Sequence, residues 1–159
     1  DWSSDVCSSD LMYDHKKFLK ALSEPLYKFL ELRDRVVKSD NGLMLIPELA
    51  DQFPSIDKVN KSVKGKVIRV SYDYGLNSKM KFTYFIKITK YDIGNGLIGD
   101  GFCYKYRTTP SEYIKDFKLN IEFDRFYGLG GTVISAEIAP ESEFKDKIKF
   151  LLKHSDTIL

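Results

Sequence analysis

From Lys79 to Tyr91 the chain alternates, with Met80, Phe82, Tyr84, Ile86 and Ile88 on one side and Lys81, Thr83, Lys87 and Thr89 largely on the other. Side chains leave an extended strand at a period of two, so this run predicts a strand with one buried face in an antiparallel sheet. Two similar stretches flank it, Lys66–Tyr74 and Leu97–Arg107. The joints between them are turn-rich, Gly75-Leu76-Asn77-Ser78 and Gly94-Asn95-Gly96, as hairpins require. Two further strands are expected at Leu119–Phe126 and Thr132–Ala139, around Tyr127-Gly128-Leu129-Gly130-Gly131. Leu43–Pro47 reads as a short strand, and Thr109-Pro110-Ser111-Glu112 as the start of a short helix ending near Phe117.

Both ends of the chain carry a helical period instead. Residues 14–39 predict helix with a seam at Ser23-Glu24-Pro25, where Ser23 serves as N-cap and Pro25 is tolerated in a first turn. Leu26, Phe29, Leu30, Arg33, Val36 and Val37 then mark one buried face, and Asn41-Gly42 suits the C-cap. Ser55 caps a brief helix through Val63. The last element opens with Pro140, Glu141 and Glu143 and closes with Lys153 and His154, the charge order that a helix dipole favours. Its apolar stripe is Phe144, Ile148, Leu151 and Leu152.

The expected order is α-(α)-β-β-β-α-β-β-α. This is an α+β domain with an antiparallel sheet of about five strands, flanked by an N-terminal and a C-terminal helix. That order is similar to the one shared by type III secretion chaperones and related small binding domains. The similarity is one of element order and rests on no motif, and those chaperones tend to be acidic, which this chain is not.

Residues 1–11, Asp-Trp-Ser-Ser-Asp-Val-Cys-Ser-Ser-Asp-Leu, have neither period. They match codon by codon the translation of a common sequencing adapter and are expected to be read-through, as at the end of a metagenomic fragment. Met12 is then not necessarily the start, and residues 12–159 form one domain. The excision removes the single Trp, one of two Cys and three acidic residues, so the formal charge moves from 25 − 23 = +2 to 25 − 20 = +5. A mildly basic chain permits an acidic partner without arguing for one. Cys103 alone cannot close an intramolecular disulfide, and no apolar run is long enough to span a bilayer. The expectation is a cytoplasmic protein with no membrane contact.

Chemistry-bearing patterns are few. Gly94-Asn95-Gly96-Leu97-Ile98-Gly99 satisfies G-x-G-x-x-G, but a nucleotide loop must open a helix and here another strand follows. A turn that needs close backbone approach is expected instead. The glycines of Tyr127–Gly131 are expected to make a hairpin connection rather than an anion nest, since no Lys-Ser or Lys-Thr follows. His15 and His154 lie near the termini, and with Cys103 they give no metal-ligand spacing, so no metal or cofactor is expected. Glu122 and Asp124 would share a strand face and, with Asp73, Asp92 and Asp100, are the remaining acid–base candidates.

The third strand offers the most distinctive surface. Phe102, Tyr104 and Tyr106 point one way beside Lys105 and Arg107; Gly99, Gly101 and Cys103 point the other. The small side should admit a closely packed helix, leaving the aromatic side for the core, a partner or stacked bases. Gly101-Phe102-Cys103-Tyr104 partly resembles the ribonucleoprotein motif of RNA-recognition domains, which implies base stacking. It departs from that motif at Asp100 and Lys105. The expected function is a small non-catalytic binding or protein-interaction domain, self-association as a homodimer included, with Phe102, Tyr104, Lys105, Tyr106 and Arg107 as binding residues. Nucleic-acid binding through the same face and a carboxylate-dependent enzyme are the alternatives.

Overall fold

A computed structural model describes residues 13–38, 51–73, 81–105, 110–127 and 132–158. Among the described residues the first elements with given bounds are the helices α1 (His15–Leu22), α2 (Glu24–Lys38) and α3 (Ile56–Val63). Five strands follow, β1 (Val67–Asp73), β2 (Lys81–Asp92), β3 (Gly96–Lys105), β4 (Pro110–Leu119) and β5 (Thr132–Ala139), and then α4 (Glu141–Ile158). The expected short strand at Leu43–Pro47 lies outside the described residues, as do residues 1–11.

Local chemistry sets the helix ends. Asp14 caps α1 by accepting the Lys17 N–H at 3.1 Å. Ser23 is the seam between α1 and α2. Its N–H closes α1 on the Leu19 carbonyl at 2.9 Å, and its Oγ accepts the Leu26 N–H at 3.0 Å. The same hydroxyl lies 2.5 Å from Ser62 Oγ on α3, which ties three helices at one point. Lys66 donates to the Leu22 carbonyl at the end of α1, and Ser55 caps α3 through the Lys58 N–H.

The sheet is antiparallel throughout, in the order β4-β3-β2-β1-β5. Four strands form a meander, and the segment after β4 carries the chain to the opposite edge. Register sorts the side chains into two layers. Ile68, Val70, Ile86, Ile88 and Leu97 pack against Phe18, Leu19, Leu22, Leu26 and Leu30 of α1 and α2 and Val59 and Val63 of α3. On the other face Val67, Phe85, Phe102 and Ala139 pack against Phe144 of α4, with Ile148 at the margin. The layers are therefore helices, sheet and helix. Fully burying a large apolar side chain contributes about 1.5–3 kcal/mol, so the larger first cluster dominates the stability.

The α+β class and the five-stranded antiparallel sheet are as the sequence predicts, but one element changes identity. Pro110–Leu119, expected as a short helix, is strand β4. A bulge is the reason. Ile114 pairs with Gly101 and Phe117 with Gly99, while Lys115 and Asp116 fall in the register shift, Asp116 at φ 54°. An extra residue turns the strand period of two into a spacing of three, and that spacing imitates a helix. The expected strand Leu119–Phe126 is instead the end of β4 followed by a tight loop. The loop is closed by the Ile121–Phe126 bridge and by Glu122 N–H donating to the Arg125 carbonyl at 2.8 Å.

Candidate functional site

Phe102 is 0% exposed. Its ring lies 5.3 Å from that of Phe85 and 5.7 Å from that of Phe144, stacked on the latter at 21°. The aromatic side of β3 is the side that α4 covers, so this ring fills the core and has no face to offer a base. Tyr104 and Lys105 stand at the end of β3, opposite Thr83 and Phe82. Tyr106 and Arg107 lie outside the described residues.

On the small side of β3 a Cβ at Gly99 or Gly101 would meet strand β2 first, not a helix. Tyr84 on β2 and Phe117 on β4 reach across it until their ring centroids are 4.5 Å apart. Tyr84 pairs with Cys103 and Phe117 with Gly99, so the two rings meet above Gly101. A Cβ there would stand 1.9 Å from the Phe85 carbonyl oxygen, and one at Gly99 would stand 2.3 Å from that of Lys87. Gly96 closes the β2–β3 turn at φ 87°, where a Cβ would strike the Leu119 carbonyl oxygen at 2.3 Å. The G-x-G-x-x-G run is thus a turn and a packing seam.

Acid–base candidates are dispersed. Glu122 and Asp124 sit exposed on the loop after β4 and share no strand face. Asp100 Oδ1 accepts the Asp116 N–H at 2.8 Å and supports the bulge, and Asp92 accepts from Asn95 in the β2–β3 turn. Among the described residues no three His, Cys, Asp or Glu side chains converge as metal ligands. Cys103 is buried. The Gly128–Gly131 stretch lies outside the described residues.

His15, which its sequence position marked only as near-terminal, is a buried pin. Its Nε2 lies 2.8 Å from the Glu122 carbonyl oxygen and its Nδ1 2.7 Å from the Tyr13 hydroxyl. A carbonyl only accepts, so Nε2 carries the proton and Nδ1 accepts from Tyr13. Burial pushes the imidazole pKa below its ordinary value, against the Glu122 hydrogen bond and the charges of Asp124 and Asp14. Burial, with Asp14, likewise raises Tyr13. Both polar atoms of the ring are satisfied within the fold, which is the mark of a structural histidine.

What remains is a contrast between the two edges of the sheet. β4 begins with Pro110, carries a one-residue bulge at Lys115 and Asp116 with Asp116 left-handed, and exposes Lys115 and Lys118. Proline, bulge and lysine are the devices that keep an edge from pairing with another chain. β5 is different. Among the described residues it pairs with β1 alone, and its Ile134 and Ile138 are 39% and 41% exposed. Between it and α1 runs an open groove of ≈ 420 Å³ lined by Tyr13, Phe18, Ala21, Ala136 and Ile138 together with the charged Asp14, Lys17 and Glu137.

The two faces of β5 differ in chemistry. Ile138 pairs with Ile68 and Ala136 with Val70, so both lie on the α1 side and border the groove. Glu137 pairs with Arg69 on the α4 side. Its Oε1 accepts both Arg69 Nε at 2.8 Å and Nη2 at 2.5 Å, while Arg69 Nη1 donates to Glu143 Oε1 at 2.9 Å. Burial would lower the Arg69 pKa, but Glu137 and Glu143 outweigh it and hold the guanidinium charged. No helix among the described residues is long and apolar enough to cross a membrane. No protein-family model, curated protein or solved structure matches the chain.

Proposed function

We propose that this chain is a small cytoplasmic interaction domain that holds an extended segment of a partner protein by adding it as a sixth strand beside β5. The observation that supports the reading is the asymmetry of the sheet edges: β4 is defended, whereas β5, paired only with β1 among the described residues, exposes Ile134 and, beside the groove along α1, Ile138. An edge strand presents a row of backbone N–H and C=O groups, which give affinity without regard to sequence. Pockets for alternate side chains then give selectivity, and the groove along α1 supplies one. If residues 1–11 are read-through, the single remaining cysteine is the buried Cys103, and one cysteine asks for no oxidising compartment, which supports the cytoplasmic setting.

The test is a selection of random displayed peptides on the full chain, followed by amide chemical-shift mapping of the best binder. Shifts concentrated on Thr132–Ala139 and α1, abolished by Ile138→Asp but retained in Lys115→Ala on the opposite edge, are the expected result. Shifts centred on α4 or on β4 would remove the reading.

A further inference from the structure

The loop after β4, residues 120–127, carries its own backbone bonds. Glu122 N–H donates to the Arg125 carbonyl and Tyr127 N–H to the Asn120 carbonyl, each at 2.8 Å, around the Ile121–Phe126 bridge. Outward it is held by the His15 Nε2–H on the Glu122 carbonyl and by aromatic contacts, Phe126 with His15 and Phe18 and Phe123 with Tyr27. We propose that this loop is an acid-released flap, in which a proton taken from solvent by Nδ1 of His15 lets residues 120–127 lift from α1 and α2 while the sheet and helices stay folded.

The satisfaction that makes His15 structural also makes it sensitive to that proton. In the neutral ring Nδ1 accepts the Tyr13 O–H at 2.7 Å, but both nitrogens of an imidazolium are donors. Protonation therefore ends the Tyr13 bond in its present sense, and the phenol must turn its own proton away. It also puts a charge beside the buried rings of Phe18 and Phe126, which cannot hydrate it. Two carboxylates face the ring and favour the cation, Asp14 at the start of α1 and Asp124 on the loop, yet burial outweighs them and holds the pKa below its ordinary value. The neighbouring charges are placed elsewhere. Lys16 lies over the Phe123 ring and Arg125 over Tyr127, while Lys17 and Glu137 border Tyr13 in the groove toward β5. Water reaches the cation most readily by local opening at the loop, because the loop takes its backbone bonds with it and no ladder of the sheet is broken.

The experiment is NMR of the full chain between pH 8 and pH 5, following the His15 ring protons and the cross-relaxation of Phe126 with His15 and Phe18. As pH falls below the ordinary imidazole value of about 6.5, the Phe126 cross-peaks should disappear in step with the His15 shift. Those between Phe85 and Phe102, on the far face of the sheet, should persist. In His15→Gln the cross-peaks between Phe126 and Phe18 should survive to pH 5. Phe126 contacts that survive to pH 5 in the parent chain, whether or not His15 titrates, would overturn the flap. So would their loss together with the Phe85–Phe102 cross-peaks, which is ordinary acid unfolding, or an equal loss in His15→Gln, which would put the trigger on another group.

Discussion

The Nε2–H of His15 donates to the carbonyl oxygen of Glu122 across 2.8 Å, joining the start of α1 to a loop 107 positions further along the chain. That loop carries the chain from one edge of the sheet to the other, and Phe126 packs on His15 at 5.1 Å. Neutral His15 therefore fastens the loop after β4 to the start of α1.

The linkage has a definite sign. The folded pKa lies below the ordinary 6.5, so between the two values the unfolded chain binds more protons than the native one. Stability is full above about pH 6.5 and falls as pH drops through that value, levelling below the native pKa. Urea unfolding of the chain between pH 8 and pH 5 should show this decline. His15→Gln keeps a donor for Glu122 but does not titrate. It should start about 1–2 kcal/mol lower, from lost packing and an imperfect hydrogen bond, and show a shallower acid slope. An identical slope in the two proteins would place the titrating group elsewhere.

Gly101 and Gly94 should respond oppositely to the same methyl group. At Gly101 a Cβ meets the Phe85 carbonyl oxygen at 1.9 Å, and the backbone has nowhere to yield without parting β2 from β3. Gly101→Ala should cost about 2–3 kcal/mol or more, the range of overpacked cores. At Gly94 the nearest atom is the flexible Asp92 carboxylate at 3.7 Å. Gly94→Ala should stay within about 0.5 kcal/mol of the parent, as exposed substitutions do. Thermal unfolding of both variants decides it.

Where the sequence could be read and where it could not follows one physical division. Ser23 was legible because a cap acts within four residues, and its capping bonds, from Leu26 and to Leu19, are local; its contact with Ser62 on α3 was not. The β2–β3 turn was legible because Gly94-Asn95-Gly96 must be where it is for two alternating strands to meet. β4 was not, because the bulge at Lys115 and Asp116 brings Ile114 and Phe117 onto one face at a helical spacing. The burial of Phe102 was also hidden. The strand pattern says that one face is aromatic, but only the path of the chain after β5 decides that α4 lies upon it. The β5 edge was invisible for a related reason: strand order is a property of connections, and the pattern Thr132–Ala139 looks the same at an edge as in the centre.

Tyr84 and Phe117 should prove coupled although they sit two strands apart. Their rings meet at 4.5 Å across β3, whose residues between their partner positions Cys103 and Gly99 include Gly101. Replacing each with Leu, singly and together, should give a coupling energy of about 0.5–1.5 kcal/mol in a double-mutant cycle, the range of close aromatic pairs. Additive losses would mean that each ring is stabilised by its own strand alone.

Phe102 separates a core role from a base-stacking one. Buried against Phe85 and Phe144, it has no exposed face, and truncating a buried Phe to Ala costs about 3–5 kcal/mol. A loss of that size approaches the whole stability of a small domain, so Phe102→Ala should unfold at far lower urea or fail to fold. Phe102→Leu retains most of the volume and keeps the variant measurable, with a smaller but clear loss. Phe144→Leu on α4 should show a comparable loss, and the pair should be non-additive because the rings are in contact. A residue displayed for nucleic acid would behave otherwise, leaving stability within about 0.5 kcal/mol while binding disappeared.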